Sequence, residues 1–271
     1  MARGSALRID QGWNIQGTDE SFACMIHEAL PSGPLPPGLV PASELAHVSA
    51  RAPKWRPGLA SPHHSEVFAR GNEASGAAAA LALAADVLNL AAEADDPRPL
   101  MWVQDKAALK LGGRPYRAGL PKAFRHRLIH VVADKCEDAL FALEEGLRCR
   151  ELACVIGEIA GNPRALDFTA SRRLSLAAER HGVPLVLVRL DAARDLSAAR
   201  MRWQVSAAPS PLPRWNAQAP GMPSWRAALF RARAYPPGEW ILRDDGHGLA
   251  AEPQDHGDLA DAAGGRSLAT R

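Results

Sequence analysis

The chain has 271 residues, of which 47% are hydrophobic and 23% charged, an ordinary balance for a soluble globular protein with ample length for a buried core. A net charge of +2 is too small to demand nucleic acid as a partner and too small to exclude it. The cysteines Cys24, Cys136, Cys149 and Cys154 form no C-x-x-C pair, which argues against structural zinc. Cys136 and Cys154 fall in apolar patterns and read as reduced, buried thiols of a cytoplasmic protein.

Arg3 and Arg8 are not followed by an apolar run, so no signal peptide is expected. Residues 1–61 are poorly patterned, and prolines from Pro31 to Pro62 block long helices and central strands; they read as an extended, partly disordered arm. Trp13 and Trp55 lie in it. Burial tendency favours their covering the protein's own core over anchoring a partner.

A domain is expected over 62–244. Val67 to Ala69 is a short strand. Gly71-Asn72-Glu73-Ala74-Ser75-Gly76-Ala77-Ala78 then turns into an alanine- and leucine-rich helix ending near Ala92, too short in its apolar part to span a bilayer. Leu100 to Val103 is a second strand and Leu128 to Val132 a third, with a mixed basic stretch between them. Cys136, Ala139, Leu140, Leu143 and Leu147 follow helical spacing, with Glu137, Asp138, Glu144 and Glu145 mostly opposite. Leu152 to Ile156 is a continuous apolar strand, Gly157 to Asp167 a loop, Phe168 to Arg180 a helix closed by Gly182, and Pro184 to Val188 a further buried strand. This alternation predicts a mainly parallel sheet with helices on both faces. Arg200 to Ser206, Trp225 to Arg233 and Glu239 to Leu242 read as antiparallel strands with one wet face, and 245–271 as a disordered tail.

The glycine turn has the frame and spacing of a phosphate-binding P-loop, strand–turn–helix with Gly71-x-x-x-x-Gly76. Its next two residues should be Lys and Ser or Thr, yet they are Ala77 and Ala78. With the antiparallel extension, this layout resembles the RecA core, a P-loop NTPase fold, and Glu66 to Gly76 looks like a recombinase strand and loop. Three stretches bring it nearer the ImuA family, the RecA-like accessory proteins of bacterial inducible mutagenesis cassettes, related to RecA and SulA. They are His64 to Val67, Leu166 to Leu174, and Ala198 to Trp203 with the later Gly238-Glu239-Trp240. The resemblance spans roughly residues 60–244, and the proline-scattered arm departs from it.

The resemblance implies a degenerate nucleotide site. The position matching the recombinase glutamate is Lys106, with Asp105 one residue away; the Walker B aspartate falls on Gly157, with Glu158 one residue away. ATP hydrolysis is therefore not expected, and no cofactor is, although a backbone cradle still allows weak ATP or ADP binding. One variant has the Lys106 ammonium filling the vacated phosphate site. No metal site is expected: His63 and His64 are adjacent on a strand and point to opposite faces.

Basic residues cluster at Arg172 and Arg173, and at Arg200, Arg202, Arg214, Arg226, Arg231 and Arg233, with Trp203, Trp215 and Trp225 interleaved. Either they form a surface for DNA or an acidic partner, or they are a solvated face with tryptophans covering the core. The resemblance implies a non-catalytic scaffold of damage-inducible translesion synthesis. Its partners would be an ImuB-type Y-family polymerase relative, an error-prone C-family DNA polymerase, and RecA or DNA. The alternatives are a DNA-dependent recombinase-like ATPase and a SulA-like inhibitor of cell division.

Overall fold

The computed structural model describes residues 54–59, 63–91 (backbone alone for 89–91), 96–121, 124–213, 215–216, 218–244 and 248–254. Residues 1–53, and with them Trp13, Cys24 and most of the expected arm, lie outside the described residues. In chain order the elements are β1 (His64–Ala69), α1 (Ser75–Ala91), β2 (Leu100–Asp105), α2 (Lys106–Gly112), β3 (Leu128–Ala133), α3 (Cys136–Arg148) and β4 (Cys154–Ala160). There follow α4 (Phe168–His181), β5 (Leu185–Leu190), β6 (Met201–Ala207), β7 (Ser224–Ala232), β8 (Gly238–Asp244) and β9 (Leu249–Pro253).

The strands form one sheet in the order β3-β2-β4-β5-β1-β6-β7-β8-β9. The first six are parallel and the last three join antiparallel. The chain steps one way from β1 to β3 and back from β3 to β6. Right-handed crossovers therefore place α1 on one face and α3 and α4 on the other. The alanines of α1 have a use beyond helix propensity. A Cβ on Gly76 would come within 2.6 Å of Ala69 Cβ, and Ala79, Ala80 and Ala84 are fully buried, so small residues let the helix lie close on β1 and β5. Strand alternation divides the core: Val186 and Val188 face α1, while Leu185 and Leu187 face α3 and α4.

Trp55 is 1% exposed and packs edge-on against Trp203 and Trp240, ring centroids 4.6 and 5.4 Å away, so it covers the domain's own core. Cys154 is buried and Cys136 half-buried, and burial pushes both thiols up to about 12, which leaves them unreactive. Among the described residues no helix is long and apolar enough to cross a membrane.

Four differences from the sequence expectation have local causes. The mixed stretch after β2 contains α2, capped by Asp105, whose carboxylate accepts from Ala108 N at 2.6 Å, and ended by Gly113 at φ 72°. β4 runs on to Ala160, so Gly157 to Ala160 are strand rather than loop, held between β2 and β5. β6 lies parallel to β1 and antiparallel to β7, so it is an interior strand with both faces covered over Met201 to Trp203. Residues 249–253, placed in the tail by composition, form β9 because β8 offers a free edge; 255–271 lie outside the described residues.

A buried polar contact ties the parallel part of the sheet to α4. His64 on β1 shares a 2.6 Å hydrogen bond between Nδ1 and the Ser175 hydroxyl of α4. Burial, aided by Arg202, pulls the His64 imidazole down to about 4 against the attraction of Glu66. The unfolded chain therefore binds more protons than the folded one between about pH 4 and 6.5. Stability from His64 is complete above 6.5 and is lost as pH falls toward 4, by about 3 kcal/mol at 1.36 kcal/mol per pH unit. Urea midpoints measured across that range should fall with pH, and His64→Gln should flatten the fall.

Candidate functional site

The crossovers leave a crevice beyond the carboxyl ends of the parallel strands. Connections from β1 and β2 pass to the α1 face and those from β4 and β5 to the other, so adjacent loops diverge at β1/β5 and β2/β4. Open α/β sheets take ligands at such points. A cavity of about 350 Å³ lies here, lined by the turn before α1 and by side chains of β2, β4 and the α2–β3 connection.

The turn brings Gly71, Glu73, Ala74, Ala77 and Ala78 to this cavity. Gly71 N donates to Asp191 Oδ1 at 3.0 Å, and a Cβ on Gly71 would sit 2.7 Å from the other carboxylate oxygen, so glycine is needed for the approach. Asp191 takes a positive φ of 49° to make that contact. Glu73 Oε2 accepts from Ala207 N at 3.0 Å, fixing the turn to the end of β6. Asn72 is exposed; Ser75 and Gly76 are buried beneath the turn, and the Ser75 hydroxyl has no hydrogen-bond partner among the described residues.

Lys106 does not enter the crevice. Its ammonium is paired with Asp134 at 3.2 Å, outside and exposed, which removes the idea that it replaces the missing loop lysine. Asp105 is occupied as the α2 cap. Gly157 faces the opposite core, where its added Cβ would meet Leu187 and Leu143. Glu158, the next residue, is the carboxylate that reaches the cavity.

Glu158 is 3% exposed, and its oxygens accept from Trp102 Nε1 at 3.2 Å and Gln104 Nε2 at 2.6 Å. Gln104 Nε2 also donates to Gly113 O at 2.9 Å, which leaves its carbonyl oxygen to accept from His130 Nε2 at 2.8 Å. His130 therefore carries its proton on Nε2. Burial raises the Glu158 pKa, and the two neutral donors offset this only in part. Burial and Arg114 lower that of His130. This His130–Gln104–Glu158–Trp102 chain has no signature in the sequence. Trp102 and Gln104 share a strand face by spacing, but the pairing of Gln104 with Glu158 is a property of sheet register.

Chemically, the crevice offers apolar walls, a buried carboxylate and an exposed Arg114 at its margin. Ala77 and Ala78 line it at the start of α1, where a phosphate site needs an ammonium and a metal-binding hydroxyl.

A second cavity, about 500 Å³, lies between α4, the 191–200 connection and the end of β7. It gathers four of the arginines singled out in the sequence: Arg172, Arg200, Arg231 and Arg233. A bulge is responsible for one of them. Arg202 pairs with Arg231 and Trp203 with Leu229, so Phe230 is the extra residue and Arg231 stays on the α4 side. Arg200 is paired with Glu179 at 2.8 Å; Arg172, Arg231 and Arg233 make no side-chain hydrogen bond or ion pair among the described residues. Phe168 and Leu176, both half exposed, line the same cavity.

The remaining expected surface residues lie elsewhere. Arg202 is 3% exposed and paired with Glu66 at 2.7 Å, a correction to its place on a wet stripe: the 191–200 connection covers that face. Trp203 and Trp225 are core residues. Arg173 is tied to Glu144 at 2.6 Å, Arg226 is exposed away from the cavity, Trp215 is exposed, and Arg214 lies outside the described residues.

The sequence matches no protein-family model. It is 35% identical over 184 residues to Protein ImuA of Caulobacter vibrioides strain NA1000 / CB15N, a match covering 62% of this chain and 71% of the relative. Protein ImuA of Caulobacter vibrioides strain ATCC 19089 / CIP 103742 / CB 15 gives the same 35% over 184 residues. A mixed α/β sheet flanked by helices, with this identity across more than two thirds of the relative's length, carries one conclusion: the chain belongs to the ImuA family.

Proposed function

We propose that the protein is a non-catalytic accessory factor of damage-inducible mutagenesis, using a RecA-like domain as a scaffold in a translesion mutasome. The observation that carries this reading is the placement of Ala77, Ala78 and Glu158 in the crevice at the strand ends. A triphosphate entering there would meet a buried carboxylate and two methyl groups where transfer chemistry uses a lysine and a hydroxyl. Family membership supports the same reading, and the unpaired arginines of the second cavity supply an outward surface for a partner. The partners proposed are an ImuB-type Y-family polymerase relative, an error-prone C-family DNA polymerase, and RecA or its DNA.

The test is affinity capture of the tagged protein from DNA-damaged cells with mass spectrometry of what remains bound, beside mutation frequency in a deletion strain. Co-capture of the ImuB-type protein and loss of damage-induced mutation are expected. Absence of both would overturn the proposal, as would nucleotide turnover that DNA stimulates and that changes in Gly71 to Gly76 abolish.

A further inference from the structure

The cavity between α4 and the end of β7 combines two properties that a merely solvated basic face does not need. Four arginines line one concave site, and three of them, Arg172, Arg231 and Arg233, hold no counter-charge among the described residues. Beside them Phe168 and Leu176, eight positions apart on α4, leave apolar surface uncovered at 49% and 52% exposure.

We infer that this cavity docks an acidic linear segment of a partner protein, one in which carboxylates flank an aliphatic or aromatic side chain. The carboxylates pair with Arg172, Arg231 and Arg233, for which the planar guanidinium offers two parallel donors each. The apolar side chain covers Phe168 and Leu176. Charge complementarity selects an anionic occupant, and the distribution of the arginines selects a peptide over a nucleic acid. A DNA backbone needs a continuous track of cations, because affinity grows with the number of phosphates neutralised. Here that track is interrupted: Arg202 is buried against Glu66, Arg173 is held by Glu144 and Arg200 by Glu179. What remains is compact and half apolar, the pattern of a peptide pocket with a polar rim. The inference deepens the accessory reading by giving the chemistry of a partner segment, but it stands on the cavity itself.

The test uses the full chain and a fluorescein-labelled peptide of sequence Asp-Asp-Leu-Phe-Asp-Glu, read by anisotropy. Controls are the same peptide with Leu and Phe changed to Ser, and a labelled single-stranded oligonucleotide of equal charge. Saturable peptide binding is expected. The double variant Arg172→Glu with Arg231→Glu should weaken it at least about tenfold, and Leu176→Ser several-fold. Arg226→Glu, outside the cavity, should leave it unchanged. These are exposed positions, so circular dichroism matching the parent will show the variants folded. Equal loss with Arg226→Glu, equal binding of the Ser-substituted peptide, or tighter binding of the oligonucleotide would each overturn the inference. If peptide binding holds while the ImuB-type protein is not captured and mutation is unaffected, the accessory reading fails and the docking site stands.

Discussion

Replacing Glu66 with alanine is expected to destabilise the domain by about 3–5 kcal/mol, the cost of breaking a buried ion pair from one side. Glu66 is fully buried in β1. It accepts from Arg202 Nε at 2.7 Å and from the Ser197 hydroxyl at 2.6 Å, joining β1, β6 and the 191–200 connection at one carboxylate. Arg189 on β5, 2% exposed, lies in the same field; burial lowers its pKa and Glu66 is the first influence that raises it. Without Glu66 both arginines lose the carboxylate that supports their charge. They keep ring contacts, Arg202 at 5.0 Å and Arg189 at 5.6 Å from the centroid of Phe68, but such contacts are worth at most about 2 kcal/mol when desolvated. The melting temperature should fall by roughly 10 °C, taking about 2–4 °C per kcal/mol for a domain of this size. The double variant Glu66→Met with Arg202→Leu should recover much of that loss, because an apolar pair of similar volume avoids the desolvation cost. An unchanged melting temperature for Glu66→Ala would show that the pair is not buried.

Gly157→Asp is the second large effect, and it separates two readings of the same strand. By sequence alignment this substitution looks like the repair of a lost metal-binding aspartate. In the structure residue 157 faces α3, where an added Cβ would come within 2.8 Å of Leu187 Cδ1 and 3.0 Å of Leu143 Cδ2. Leu143 and Leu187 are fully buried, so the new carboxylate would enter an apolar core with no partner. Crowding alone should cost about 1–3 kcal/mol, which Gly157→Ala would isolate, and the unpaired polar group should add several more. The variant should be largely unfolded or insoluble and gain no nucleotide turnover. A stable Gly157→Asp protein would mean that residue 157, not Glu158, faces the crevice and that β4 is shifted by one residue.

The elements with strong local signals are legible in the sequence. Helix α1 is declared by its alanines and leucines, α4 by its spacing and by Gly182 at its end, and β5 by a continuous apolar run. Helix α2 escapes a reading by periodicity although its end signals are present: Asp105 caps it and Gly113 closes it, but seven residues are too few to show a period. β9 escapes it because Leu249-Ala250-Ala251 has little strand propensity of its own, and the edge of β8 supplies what composition lacks. The arginines divide for the same kind of reason. Alternation along β6 suggests one wet face, which holds only for a strand with an uncovered side, and the 191–200 connection closes that side over Arg202.

The strand–helix alternation, the glycine turn and the identities Ala77 and Ala78 are written in consecutive residues, and each depends on local sterics or chemistry. Contacts between distant elements place Glu158 rather than Gly157 in the crevice, turn Lys106 away to Asp134, pair Arg202 with Glu66, and bring Arg172 and Arg231 to one cavity. Each of these depends on which residues of distant strands stand side by side. A shift of one residue in register, or one bulged residue such as Phe230, moves a side chain to the other face of the sheet, and nothing within a strand's own sequence reports it.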